Sequence, residues 1–267
     1  MANALQILSL VFYPISRTLF RRINRQIAQG WWGLSVFWSE IIHRTKPIFT
    51  GDPVPELENA IVISNHQQMP DVVALMTFAW RKKRLGDMKW FAKDVIRYVP
   101  GIGWGMQFLD CVFLKREWDR DEQTIRQTFA KFLHYDIPMW LVSFPEGTRL
   151  TESKLASSNA FAAKSGIPGT TNVLLPRTRG FAASVIGLRE HVDAIYDVTI
   201  GYPAKMGVPS MWDLFTQVNG RYHMQVRRYP IEKLPVDEAG LSAWIMERFR
   251  EKDARMAAFK RDGFFRA

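Results

Sequence analysis

His66 and Asp71 are the residues of this chain whose types and spacing could move a proton. They stand in Ser64-Asn65-His66-Gln67-Gln68-Met69-Pro70-Asp71, directly after the uncharged, β-branched run Ala60-Ile61-Val62-Ile63. Such a run is expected of a strand buried in a parallel or mixed sheet. Pro70 suits a first helical position, where its missing N–H costs nothing, and Asp71 would then fall in the first turn, where the helix dipole favours a carboxylate. On one regular helix two residues at this spacing face different directions, but a histidine in the preceding loop can fold back onto a first-turn aspartate. The carboxylate would fix the imidazole tautomer and stabilise the imidazolium. The other ring nitrogen could then take a proton from a hydroxyl. Spacing alone does not separate this general base from a solvated loop histidine.

A second chemical stretch, Phe144-Pro145-Glu146-Gly147-Thr148-Arg149, follows another buried-strand candidate, Met139-Trp140-Leu141-Val142-Ser143. If the two strands are neighbours, both loops open at one edge of a sheet. Gly147 would let a backbone approach a phosphate, and Arg149 would supply a forked charged donor. Glu146, acceptor-only when ionised, would receive hydrogen bonds from substrate hydroxyls or hold Arg149 or Arg116. Strands are expected near residues 60–64, 111–114, 139–144, 172–176, 194–201 and 222–229, alternating with helices that include residues 118–135 and a basic amphipathic helix over 241–265. This pattern is an α/β fold, a mixed central sheet flanked by helices. Trp90 to Lys93 reads as a short strand or turn, and residues 43–57, rich in Pro and Gly, as a connection.

An Asn-His-x4-Asp block followed about eighty residues later by Phe-Pro-Glu-Gly-Thr-Arg resembles the glycerolipid acyltransferases, the family of glycerol-3-phosphate and 1-acylglycerol-3-phosphate acyltransferases. The resemblance runs from about residue 60 to 235. Residues 157–162, 172–181 and 194–199 are similar to the branch holding the lysocardiolipin acyltransferases and the longer animal acylglycerophosphate acyltransferases. It implies that His66, oriented by Asp71, deprotonates the free hydroxyl of a lysophospholipid as that hydroxyl attacks an acyl thioester. Acyl-CoA or acyl carrier protein would be the co-substrate, with no cofactor and no metal. The family's Phe-x-x-Arg element is matched by Phe113 and Arg116, which assigns Arg116 to the acceptor's phosphate, beside Glu146, Gly147, Arg149 and the weaker candidate Arg177. The acceptor implied first is 1-acylglycerol-3-phosphate, giving phosphatidic acid. A remodelling acyltransferase for another headgroup is the alternative. The glycine that often opens the Phe113 element is absent, and the branch often carries another residue where Arg149 stands, so the headgroup is not inherited.

Composition agrees with a lipid partner without selecting it. The chain has 267 residues, 47% of them hydrophobic, and a formal charge of +10, which calls for an anionic partner: nucleic acid, an anionic membrane surface or a phosphorylated substrate. The N-terminal segment favours the membrane over nucleic acid. Leu5 to Ile15 form an apolar block followed by Arg17, Arg21, Arg22 and Arg25, and a second block from Ile27 to Ile42 carries Trp31, Trp32 and Trp38. Each uninterrupted block is shorter than the roughly 20 residues of a spanning helix. Arginines beside apolar helices, with tryptophans suited to the headgroup level, describe a membrane-associated helical pair lying in one leaflet at the cytoplasmic face. The expected division is therefore residues 1–42 as that pair and 43–267 as the α/β acyltransferase domain. A basic peripheral module without enzymatic activity is the competing class.

Other enzyme classes fit less well. A serine hydrolase wants a Gly-x-Ser-x-Gly elbow, which this sequence lacks. His43, His134, His191 and His223 stand without ligand spacing. Cys111, the single cysteine, admits no internal disulfide and is expected as a small core residue.

Overall fold

The computed structural model describes residues 1–115, 117–216 and 218–266. Two helices lead the chain, α1 (Ala2–Ser9) and α2 (Arg17–Phe37). Ser16 caps α2 by accepting the Leu19 N–H at 3.2 Å. Then follow β1 (Lys46–Gly51), β2 (Ala60–Ser64), α3 (Pro70–Arg81), β3 (Met88–Lys93), α4 (Ile102–Phe108), β4 (Val112–Leu114), α5 (Trp118–His134) and β5 (Trp140–Ser143). The chain closes with α6 (Glu152–Lys164), α7 (Thr178–Leu188), β6 (Ala194–Gly201), the single turn α8 (Asp213–Thr216), β7 (Arg221–Pro230) and α9 (Glu238–Asp262).

The strands form one sheet in the order β1-β7-β6-β2-β5-β3-β4. From β6 to β4 all neighbours are parallel, and β7, antiparallel to β6, carries β1 alongside it in the reversed direction. β2 lies between β5 and β6 with Ile63 opposite both Ser143 and Asp197. Every residue of β2 and β6 is buried, as strands covered on both faces must be. Alternate residues feed two cores. Val62, Val142 and Tyr196 pack with Phe78 and Ala74 of α3, while Ile61, Leu141 and Ile195 face Phe129 of α5, Val185 of α7 and Phe249 of α9. Cys111 sits in the first core, its thiol pushed up to about 11 by burial.

Two expectations need correction, and a third, the short strand at Trp90, is extended. Residues 46–51 are not a connection but the edge strand β1, paired with β7 from Lys46 opposite Arg221 to Gly51 opposite Val226. Its Pro47 is tolerated because an edge strand has one unpaired side. The stretch around Trp90 is a full strand beginning at Met88. Residues 172–176, expected as a strand, form none. The N–H groups of Thr171, Asn172 and Val173 all donate to Asp253 Oδ1, at 2.9, 2.5 and 3.2 Å. The Leu174 N–H goes to Glu146 and that of Leu175 to Ser158. Once side chains satisfy the donors, and Pro176 offers none, no ladder can form.

Candidate active site

β2, β5 and β6 end at one edge of the sheet, so the two chemical stretches leave adjacent strands and meet there. α3 begins at Pro70 and places Asp71 in its first turn. The His66 loop folds back over it, with Nδ1 of His66 3.0 Å from Asp71 Oδ2. The same oxygen accepts the backbone N–H groups of Gln67 at 2.6 Å and Gln68 at 2.9 Å. The other oxygen, Oδ1, accepts the Tyr202 hydroxyl at 2.7 Å. Asp71 is fully buried. A carboxylate in that position persists because four donors surround it. An ionised acceptor at Oδ2 requires the proton of His66 to sit on Nδ1. Nε2 then keeps its lone pair, and among the described residues nothing bonds to it.

The imidazole is held in its plane as well as at its nitrogen. Phe144 stacks on it with ring centroids 4.0 Å apart and planes at 17°, and Trp90 backs Phe144 at 6.4 Å. The loop backbone is pinned to its neighbours. Asn65 exchanges two hydrogen bonds with Ile200 of β6, at 3.0 and 2.9 Å, and Gln67 Nε2 donates to the same carbonyl at 2.8 Å. The His66 N–H donates to Glu146 Oε1 at 3.0 Å, and the His66 carbonyl accepts from Leu150 at 2.8 Å.

Glu146 therefore joins three segments, since its Oε2 accepts the Leu174 N–H at 3.3 Å. Burial pushes its carboxyl up to about 8, against the opposing pull of those two backbone donors. Both oxygens face the backbone, and Arg149 bonds Gln68 Oε1. Gly147 turns at φ +69°, a region costly for side chains, and a Cβ there would lie 2.9 Å from Arg177 Nε. The N–H of Arg177 donates to the Pro145 carbonyl at 2.8 Å. Arg149 and Arg177, both exposed, thus flank the same turn, with Lys154 donating to Thr148 at 2.6 Å beside them. Arg116 follows β4 and lies outside the described residues.

A sequence model described as Acyltransferase matches residues 46–202, more than half of the chain, and one described as Acyltransferase C-terminus matches residues 213–267. The chain belongs to the acyltransferase family. It is 36% identical over 237 residues to the probable 1-acyl-sn-glycerol-3-phosphate acyltransferase 5 of Arabidopsis thaliana, covering 88% of this chain and 63% of that relative. It is 35% identical over 267 residues to 1-acyl-sn-glycerol-3-phosphate acyltransferase gamma of Homo sapiens, covering 98% of this chain and 71% of that protein. Its fold is shared with the crystal structure of the 1-acyl-sn-glycerophosphate (LPA) acyltransferase PlsC from Thermotoga maritima. That likeness has a TM-score of 0.56 at 19% identity and covers 97% of this chain and 98% of the other.

Some residues that build the site in this family member carry no signal in the sequence. Tyr202 arrives on the far side of β2, after β6, and no spacing relates it to Asp71. Burial and then the charge of Asp71 push its phenol well above the usual range, so it stays a donor. Lys252 of α9 is fully buried and ion-pairs with Asp197 of β6 at 2.6 Å, where Arg255 also reaches at 2.5 Å. Burial draws Lys252 down to about 8 against the Asp197 charge. Burial also pushes Asp197 up, but the Lys252 and Arg255 charges outweigh it and hold the carboxyl below its usual range. A lysine in an amphipathic helix reads as a solvated residue until the strand behind it is known.

Proposed function

We propose that this chain transfers a fatty acyl group from an acyl thioester, acyl-CoA or acyl carrier protein, to the free hydroxyl of 1-acylglycerol-3-phosphate, producing phosphatidic acid. The observation that carries the reading is the His66–Asp71 pair, with Nδ1 3.0 Å from a buried carboxylate and Nε2 free at the edge where the basic loops converge. The names of the relatives supply the acceptor. Nε2 takes the hydroxyl proton as the oxygen attacks the thioester carbonyl. The carbon–sulfur bond then breaks, and the imidazolium gives its proton to the departing sulfur, so that a free thiol leaves and Nε2 is again a base. No enzyme nucleophile is needed. General-base assistance of this kind contributes about 10²–10⁴-fold. Arg149, Arg177 and Arg116 hold the phosphate end, which makes the attack an oriented one.

The acceptor is a lipid, and the N-terminal helices are the natural contact with its membrane. α1 and the turn after it expose Leu8 (70%), Val11 (62%) and Ile15 (73%), while the other side of α2 buries Phe20, Ala28 and Val36. Among the described residues no helix is long and apolar enough to cross a membrane. In this reading residues 1–42 lie along one leaflet, and 43–267 carry the chemistry.

The test is His66→Ala in a thiol-release assay with acyl-CoA and 1-acylglycerol-3-phosphate. Acylation is expected to vanish while the circular dichroism spectrum and flotation with anionic vesicles persist. Activity equal to the parent chain would refute the mechanism. Replacing Leu8 and Val11 by Glu is expected to release the protein from vesicles, and unchanged flotation would count against the anchor.

A further inference from the structure

The excursion between β6 and β7, residues 203–216, turns large apolar side chains outward. Trp212 is 74% exposed, and Val208, Met211 and Phe215 are about half exposed or more. Trp212 and Phe215 pair edge to face at 6.3 Å, so they form one patch. Scattered exposed hydrophobics need no explanation, but a tryptophan-centred cluster in one short excursion marks a contact surface. Pro209 and Leu214, both half-buried, line one cavity together with Pro70 and Tyr202. The segment also leads into Asn219, whose N–H donates to the His43 carbonyl at 2.6 Å.

Topology decides where this patch lies. β6 runs parallel to β2, so its C-terminal end, from which the excursion starts, is the His66 edge. β1 starts opposite the first residue of β7, which places the π-helical turn Trp38–Ile42 that follows α2, with exposed Trp38, Ile41 and Ile42, at that edge too. Two apolar patches tied by the Asn219–His43 bond therefore border the site.

We propose that residues 203–216 are a second lipid-contacting element, seated with the turn after α2 on an anionic membrane surface at the mouth of the site. The proposal rests on the acyltransferase reading above for its choice of partner. A tryptophan suits the headgroup level, exposed Lys205 and Arg221 flank the patch, and the chain as a whole is at +10. Seating both patches would bring the acceptor to Nε2 of His66 without taking its acyl chain through water.

The experiment uses the full chain. Because Cys111 is buried, a cysteine introduced elsewhere can be labelled selectively. Phe215→Cys and, at the opposite end of β6, Glu190→Cys are each labelled with a polarity-sensitive fluorophore and mixed with vesicles of phosphatidylcholine and phosphatidylglycerol. Both proteins are expected to float with the vesicles, and only the probe at position 215 should shift to the blue and escape aqueous iodide. An unshifted probe at 215 on floating protein overturns the inference while leaving the N-terminal anchor intact, and absence of flotation removes both. A blue shift without vesicles that grows with protein concentration means that a second copy covers the patch, and it too overturns the inference. Independently, Trp212→Ser with Phe215→Ser should weaken vesicle binding about tenfold, from the apolar area withdrawn, and leave turnover on detergent-dispersed acceptor unchanged. Unaltered vesicle affinity in that variant also overturns it.

Discussion

Replacing Asp71 by Asn separates the charge of the carboxylate from its hydrogen bonds. An amide carbonyl in place of Oδ2 would still accept from His66 Nδ1, Gln67 and Gln68. The amide nitrogen would fall at Oδ1, where the Tyr202 hydroxyl can rotate from donating to accepting. One amide N–H and the displaced Tyr202 hydroxyl hydrogen are left without an acceptor, so stability should fall by about 1–3 kcal/mol while the chain still folds. What disappears is the attraction between a carboxylate and the imidazolium that forms during transfer. At about 4 Å between charge centres and an effective dielectric constant near 20, that attraction is about 4 kcal/mol, or about 10³-fold in rate. Asp71→Ala, in contrast, strands four buried donors at about 1–3 kcal/mol each, so it should lose both fold and activity. The assay is kcat/KM by thiol release beside urea unfolding of each variant. If Asp71→Asn is folded and within about tenfold of the parent rate, well short of the loss expected from the charge, the carboxylate does not stabilise an imidazolium and the base mechanism fails.

Tyr202→Phe removes one charge-assisted bond to Asp71. It should cost about 1.5–3 kcal/mol of stability and lower kcat with little change in either KM, as steady-state kinetics and urea midpoints would report. Glu146→Gln tests the buried carboxyl. Its pKa is about 8 when folded, above its unfolded value, so the unfolded chain releases that proton first. Stability then falls by up to about 1.4 kcal/mol per pH unit between roughly pH 4.5 and 8 and levels off above. The difference in unfolding free energy between parent and Glu146→Gln should carry that slope, and a difference independent of pH would place the carboxyl in water. Gly147→Ala imposes a side chain at φ +69° against Arg177. A loss of about 1–2 kcal/mol and a raised KM for the phosphorylated acceptor are expected, measured by thermal unfolding and acceptor titration.

Much of the site was legible because its chemistry sits at strand ends, where local pattern is strongest. The apolar runs before Ser64 and before Phe144 announce β2 and β5, Pro70 announces the start of α3, and the residue types in the two loops mark His66 and Asp71 as the candidate base and orienting acid and residues 146–149 as the candidate phosphate-binding turn. The resemblance of the paired motifs adds the reaction class. Other parts were hidden because they depend on partners distant in the chain. β1 shows a Pro and a Gly, and only its pairing with β7, 175 positions away from Lys46 to Arg221, makes it a strand. Residues 172–176 look like a strand, and only Asp253 and Glu146 take their donors away.

The sequence by itself determined which side chains can act: an imidazole after one buried strand, a carboxylate in the next helix turn, and arginines after another strand. Only the tertiary structure decided that β5 and β6 flank β2, which turns two loops into one site, brings the Tyr202 hydroxyl to Asp71, and sets Glu146 against the backbone of His66. The physical reason is that strand order follows from how two apolar faces are covered over the whole sheet. A carboxylate's charge likewise depends on every donor that folding brings to it, and neither property is written in local spacing.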